Sequence, residues 1–209
     1  MKRALAAAAL LIAGLTGCVS VSVGSADAPG ATFFVLADAR PAAVEPPRAG
    51  ATARLAIHAS GSEPLADSTA IVFSRRPGER SLYQLASWNE RPSRRLAQLA
   101  QQRLEARGRF ASVTQLGQPV ATDWLLTFAV DSLLHDVSAT PGKAQLVLRA
   151  ELIHRRDRVR VAQRVFAAAP PMTEASAPAA VAAFGTATAD VLDQLVDWVE
   201  STVAAHAGR

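Results

Sequence analysis

The sequence predicts an α+β fold, with a mainly antiparallel sheet and two helices packed on one face as a two-layer sandwich. Segments in which apolar and polar residues alternate recur along the chain, as expected of strands with one buried face. Two further segments, one in the middle and one at the end, carry apolar residues at helical spacing. Helices from two separate parts of the chain can then cover the same face of one sheet.

Five short strands are predicted before residue 117. In the segment 54–60, Leu55 and Ile57 alternate with polar residues, which is typical of a half-buried strand. Glycine and proline in the segments 61–64 and 75–78 indicate turns between strands. The five predicted strands are 32–36, 54–60, 69–74, 81–86 and 110–116.

The first helix is predicted at residues 92–107. Its leucines recur at helical spacing and share one face. Pro92 suits the first turn of a helix, and Gly108 suits the position just after its end.

Three longer alternating segments follow, at 122–131, 143–153 and 158–166. A short polar segment separates the last two, which therefore predict a hairpin and favour antiparallel pairing. The chain then ends in an amphipathic helix at residues 177–205.

Composition indicates a folded protein. It argues against nucleic-acid binding and against sites that need several cysteines. Half of the residues are hydrophobic, so a core can form. The net charge is +4, but Lys2 and Arg3 belong to a predicted export signal, which leaves 20 of the 22 basic side chains against 18 acidic ones. Nucleic-acid binding normally needs a concentrated basic face with interleaved aromatics, and we predict none. A single cysteine excludes an intramolecular disulfide and a cysteine-based metal cluster.

The amino terminus is predicted to be a lipoprotein signal peptide, residues 1–17. A short basic region is followed by an apolar stretch, 4–15, that is too short to span a bilayer comfortably. The stretch ends in Leu-Thr-Gly-Cys, which resembles the lipobox of bacterial lipoproteins. That resemblance implies cleavage between Gly17 and Cys18, a diacylglyceryl group on the thiol of Cys18 and an acyl group on the new amino terminus.

These covalent acyl groups, such as palmitate, are the only added groups predicted, since no cofactor is expected. More than one acyl chain gives stable anchoring in a membrane. Small and polar residues in the segment 18–30 predict a flexible tether, with a single folded domain at 31–209. Val19 stands where enteric lipoproteins retained in the inner membrane usually have aspartate, so the outer membrane is favoured.

The motifs of the common enzyme classes are missing from the sequence. There is no G-x-S-x-G elbow, phosphate-binding glycine loop or H-E-x-x-H pair, so we predict neither an enzyme nor a metal site. Asp131, Ser132 and His135 are close in sequence, but a solvated turn explains them better than a catalytic triad. The four histidines are scattered, and we expect them at the surface or at interfaces; they are His58, His135, His154 and His206.

Five residues around the start of the first helix are candidates for partner binding: Tyr83, Trp88, Arg91, Arg94 and Arg95. Trp88 is interpreted first as a packing residue, with an exposed anchor as the alternative. The three arginines oppose the dipole at a helix N-terminus, which favours acids. A solvated helical face is the preferred interpretation of the arginines, and a site for lipid phosphates or an acidic partner is the alternative.

Several of these segments in order resemble the ABC-type transport auxiliary lipoproteins. The matching features are the lipobox, the early strand with Phe33 and Phe34, the YQLA segment at 83–86, Trp88 with the RPS segment at 91–93, the ATDWLLTF segment at 121–128 and the long terminal helix. The resemblance covers nearly all of the mature chain, and it carries no catalytic residues.

The resemblance implies a non-enzymatic component of the Gram-negative envelope that faces the periplasm. Such a component works with a membrane ATPase, a permease and an MCE-type (mammalian cell entry) substrate-binding protein. Systems of this kind move lipids between the inner and outer membranes. In this interpretation the domain docks the MCE-type protein. The alternative is a periplasmic carrier in which the sheet and helices enclose an apolar pocket for an acyl chain, with phospholipid as its ligand.

Overall fold

A computed structural model of the protein describes residues 30–46 and 48–207. The predicted signal peptide, Cys18 and the predicted tether up to residue 29 lie outside these residues. The described strands are β1 (Thr32–Phe34), β2 (Arg54–Gly61), β3 (Ala70–Ser74), β4 (Ser81–Trp88), β5 (Ser112–Gln115), β6 (Trp124–Asp136), β7 (Lys143–His154) and β8 (Val159–Ala168), and the helices are α1 (Pro92–Ala106) and α2 (Ala177–Ala207).

Each strand and helix predicted from the residue pattern is present, with ends that differ by a few residues. The largest difference is in β6, which continues to Asp136 instead of ending at Asp131. The apolar face predicted for α1 is confirmed, because its leucines are buried in the core. Within the described residues, no helix combines the length and hydropathy needed to cross a membrane.

The eight strands form one mixed sheet, so the prediction of a mainly antiparallel two-layer sandwich is wrong. Four of the seven strand pairings are parallel: β1 with β4, β2 with β5, β2 with β6, and β3 with β6. The predicted hairpin of β7 and β8 is antiparallel, as are the pairs β6–β7 and β3–β4. The alternation of apolar and polar residues along a strand shows which face of the strand is buried. It does not show whether the neighbouring strand runs parallel or antiparallel.

Strand β6 organises the sheet. Strand β7 pairs along the whole of one side of β6. The other side is shared, since β2 pairs with the segment Trp124 to Val130 while β3 pairs with His135 and Asp136. The sheet therefore divides into two branches, one ending at β5 and the other ending at β1, and β8 forms the opposite edge.

Both helices pack against the sheet and against each other. Helix α1 contacts mainly β2 and β5, whereas α2 contacts mainly β7 and β8. Phe184 and Leu195 of α2 and Leu126 and Leu146 of the sheet have no exposed surface. Complete burial of a side chain of this size stabilises the fold by about 1.5–3 kcal/mol. The space between sheet and helices is therefore a packed core.

Candidate functional site

The predicted lipid-attachment site, Gly17 and Cys18, lies outside the described residues and stays a prediction. The five candidate partner-binding residues lie within them, on β4 and around the start of α1. The five side chains range from mostly exposed to buried.

Tyr83 on β4 is half-buried and binds a histidine that is fully buried. The hydroxyl of Tyr83 lies 2.8 Å from Nδ1 of His135. Nε2 of His135 lies 3.3 Å from the carbonyl oxygen of Pro141, which can only accept, so Nε2 carries the proton and Tyr83 donates to Nδ1. Burial lowers the pKa of His135 and raises the pKa of Tyr83. Both groups are therefore held in their neutral forms.

An open cavity of about 370 Å³ adjoins this pair, and we name it the Tyr83 pocket. The ring centroids of Phe73 and Tyr83 are 5.2 Å apart, and the guanidinium of Arg75 lies 4.7 Å from the centroid of Phe73. An aromatic wall with a cation beside it suits a ligand that has both an apolar part and a negative charge. The residues that line the pocket are Phe73, Arg75, Tyr83, His135, Val137 and Ala175.

The expectation that His135 lies in a solvated turn is wrong. A β-bulge between Val130 and Ser132 shifts the alternation of β6 by one residue. Beyond the bulge Leu133 and His135 face the core, as their partners on β7 do. Asp131 itself points to the other side, where it pairs with Arg149. A regular alternation extended from Trp124 places Leu133 and His135 on the exposed face, which is the wrong face for both.

Trp88 packs inside the protein. Only 2% of its surface is exposed, and its ring meets Phe184 of α2 edge-on at 5.7 Å. The packing interpretation is confirmed, and the exposed-anchor interpretation is wrong. Trp88 can therefore affect a binding surface only indirectly, by fixing the positions of β4 and α2.

The three arginines differ in their exposure and contacts. Arg94 is 76% exposed and pairs with Glu90 at 3.4 Å, which fits a solvated helical face. Arg91 is exposed as well. Arg95 is partly buried, and its Nε donates to the carbonyl of Leu36 at 2.9 Å. Arg95 therefore joins α1 to the segment after β1, which leaves Arg91 and Arg94 as the arginines available to a partner.

An aspartate from the loop between β2 and β3 offsets the positive charge that the arginines place at the start of α1. The first turn of α1 contains no acidic residue, and Arg91 makes no side-chain cap. Instead the carboxylate of Asp67 accepts a hydrogen bond of 2.8 Å from the backbone N–H of Ser93. Asp67 therefore supplies the negative charge that this helix end requires.

Four exposed apolar side chains on β4, on β1 and just after β1 were not predicted as functional. Phe33 and Val35 project from β1 and its continuation, and Leu82 and Leu85 from β4. Phe33 pairs with Ser87, so it shares a face with Leu85, two residues along β4. We name these residues the β1–β4 patch. Leu82 and Leu85 are three apart, so on a regular strand one of them faces away from the core, and this spacing was a usable signal. The register shift between β3 and β4 places Leu82 on the face of Ser87 and Leu85, because the β3 partners of Leu82 and Ser87, Val72 and Ala70, are two residues apart.

Two histidines and an aspartate come together near the start of β6, at the opposite end of this strand from His135. His154 ends β7, Asp157 lies in the turn after it, and His206 is in the last turn of α2. One ligand atom from each lies within 4.8 Å of the others. His154 and His206, which are scattered in the sequence, therefore meet in the structure, and these three groups could hold a metal ion.

A buried ion pair ties the segment after β1 to both helices. Arg103 of α1 forms two hydrogen bonds with the carboxylate of Asp38, and both side chains are only 5% exposed. Arg103 also donates to the carbonyl of Arg40 at 2.7 Å and pairs with Asp193 of α2. Sequence patterns did not reveal this network, because Arg103 and Asp38 are 65 residues apart.

A family model described as ABC-type transport auxiliary lipoprotein component matches residues 34–196. The chain belongs to this family. The resemblance inferred from the ordered motifs is thus confirmed. This auxiliary lipoprotein is a component of an ABC-type transport system and associates with the cell envelope.

Two crystal structures share the fold of the auxiliary lipoprotein. A protein from Xanthomonas campestris is similar with a TM-score of 0.72 and 24% identity, over 85% of this chain and 100% of that one. An uncharacterized protein is similar with a TM-score of 0.64 and 10% identity, over 81% and 99% of the two chains. No curated protein matches the sequence.

Proposed function

We propose that this protein is the non-enzymatic docking subunit of an ABC/MCE-type lipid transport system in the Gram-negative envelope. Acyl groups on Cys18 anchor it, with the outer membrane favoured, and its folded domain binds the MCE-type substrate-binding protein. The family match over residues 34–196 carries the proposal, because it supports an auxiliary transport role for most of the folded domain.

The β1–β4 patch is the surface that best suits such docking. Exposed apolar side chains grouped at a sheet edge, with charges beside them, are typical of protein interfaces. The backbone N–H of Asn89 donates to the carbonyl of Phe34 at 2.8 Å, which places the start of α1 beside β1. Arg91, two residues after Asn89, therefore lies close to the patch, and Arg94 follows one helical turn later. Within the described residues β1 pairs only with β4, so its other edge can accept a strand from a partner.

Affinity capture after crosslinking in intact envelopes tests this proposal. The lipidated protein should recover an MCE-type protein, and the double variant Leu82→Glu with Leu85→Glu should reduce that recovery at least tenfold. The matched control is Val159→Glu with Val165→Glu on β8, since these valines are similarly exposed at the opposite edge. Circular dichroism of both variants establishes that they fold.

Two results would contradict the docking proposal. The wild-type protein could recover no MCE-type protein under any crosslinking condition. Alternatively, the patch variant could recover as much as the β8 control, in which case docking does not involve the β1–β4 patch.

Lipid carriage is a second candidate, and the Tyr83 pocket is the observation that favours it. Side chains fill the space between sheet and helices, where the carrier interpretation expects an acyl chain. The Tyr83 pocket is open, and it combines aromatic rings with the cation of Arg75. Such a site fits part of a phospholipid, with the phosphate near Arg75 and an acyl segment against Phe73.

Native mass spectrometry of the protein with phospholipid added in detergent tests this second candidate. We expect one bound phospholipid, with occupancy reduced at least fivefold by Arg75→Glu and unchanged by Arg156→Glu, a substitution in the turn after β7. A protein that stays free of lipid, or equal occupancy in the two variants, would exclude the Tyr83 pocket as a lipid site.

A further inference from the structure

The cluster of His154, Asp157 and His206 joins parts of the chain that are far apart in sequence. Nδ1 of His154 lies 2.7 Å from a carboxylate oxygen of Asp157, and the two imidazole centroids are 5.0 Å apart. A hydrogen bond between the two side chains accounts for His154 and Asp157. It does not account for the second imidazole, which the end of α2 places beside them.

Packing around the cluster fixes the positions of the rings. The ring of Trp124 lies 4.8 Å from the ring of His154 and 5.1 Å from the ring of His206, and Trp124 is almost fully buried. Trp124 and His154 are partners in the β6–β7 ladder. The turn after β7 is held by a 2.9 Å hydrogen bond from the N–H of Arg155 to the carbonyl of Asp123. Two of the three groups, His154 at the end of β7 and His206 in α2, therefore lie on regular secondary structure, where little ordering is needed before a ligand binds.

The surroundings favour a cation that can enter from solvent. The side chain of Asp157 is 57% exposed, which leaves a route to the cluster. His206 is in the last turn of α2, and the C-terminal end of a helix carries partial negative charge. Arg155, in the turn after β7 that contains Asp157, partly opposes the attraction of a cation. Its guanidinium, however, is hydrogen-bonded to the hydroxyl of Thr122.

We propose that His154, Asp157 and His206 form a zinc-binding site. Two imidazole nitrogens and one carboxylate oxygen match the ligands that Zn²⁺ takes in proteins, and a water molecule completes a tetrahedral set. Three ligand atoms within 4.8 Å of one another are close enough for a central ion after small rotations of the side chains. A bound ion links the end of α2 to the β7–β8 hairpin, so it stabilises that side of the domain.

Zinc binding to the mature lipoprotein in detergent, after treatment with a chelator, tests the site. Equilibrium dialysis with Zn²⁺ alone should give one ion per chain. The variants His154→Ala and His206→Ala should each weaken binding at least tenfold. The control is His58→Ala, since His58 is an exposed histidine on β2, outside the cluster, and this variant should bind as the wild type does.

A second measurement separates metal binding from an effect on folding. Zn²⁺ should raise the melting temperature of the wild-type protein and of His58→Ala but not that of His206→Ala. His206 lies in the last turn of α2, and among the described residues its only aromatic core contact is the edge-on packing against Trp124, so its replacement removes little packing and this variant should fold. Absence of zinc binding in the wild type would overturn the proposal, as would equal affinity in the His58 and His206 variants. Either result would leave a histidine–aspartate hydrogen bond only.

Discussion

Replacement of Arg103 tests how the segment after β1 is held to the two helices. The guanidinium makes two hydrogen bonds with Asp38 and a third with the carbonyl of Arg40. Both charged side chains are almost completely buried, so Arg103→Ala leaves the carboxylate of Asp38 without its cation. Breaking a buried pair in this way costs about 3–5 kcal/mol. The additional pair with Asp193 adds at most about 1 kcal/mol, because Asp193 is half exposed.

Urea unfolding at neutral pH measures this effect as a change in the free energy of unfolding. A domain of this size is stable by about 5–15 kcal/mol, so the expected loss is a large fraction of the total. Arg103→Lys should lower the free energy of unfolding less than Arg103→Ala does, because an ammonium keeps the positive charge. Some loss should remain, because an ammonium cannot match both carboxylate oxygens. The double variant Arg103→Leu with Asp38→Leu should be less destabilised than the sum of the single variants, because neither charge is left alone.

The matched control is Arg94→Ala on the same helix. Arg94 is mostly exposed, so its loss should change stability by less than about 0.5 kcal/mol. If Arg103→Ala and Arg94→Ala differ by less than about 1 kcal/mol, the buried pair does not hold this part of the fold, and the reasoning is refuted.

Three further predictions concern the anchor, a turn and a buried histidine. Cys18→Ser should abolish incorporation of a labelled palmitate analogue, whereas a labelled variant would place the acyl groups elsewhere. Gly142 and Gly78 both have positive φ, but a side chain at Gly142 would lie 2.4 Å from a backbone carbonyl while Gly78 has open space. In urea unfolding both alanine variants should lose about 1–2 kcal/mol for the left-handed backbone, and Gly142→Ala should lose more; equal losses would contradict the close approach. Burial lowers the pKa of His135 below its usual 6.5, so the unfolded chain binds more protons and stability falls as pH drops below that value. His135→Gln should flatten this fall between pH 7 and 5 and His58→Gln should not; unchanged slopes in both would exclude His135 as the cause.

Local patterns predicted much of the fold and part of the candidate site. The alternation of Leu55 and Ile57 and the helical spacing of the α1 leucines located the elements, because burial of one face repeats with the period of the backbone. Tyr83 was identified as a candidate and does line an open pocket. His135 was misplaced because one extra residue in β6 reverses the faces beyond it, and the pattern before the bulge contains no sign of this.

The sequence by itself predicted the export signal and the lipidation of Cys18, which stay predictions. It also indicated the positions of the strands and helices, and the family, which the family match confirms. Only the tertiary structure decided the parallel pairing of β2 with its two neighbours, the burial of Trp88 and the meeting of His154 with His206. The physical reason is the range of the interactions. Residue spacing records which face of each element is buried, whereas strand direction and contacts between distant residues depend on how the connections and the core pack together.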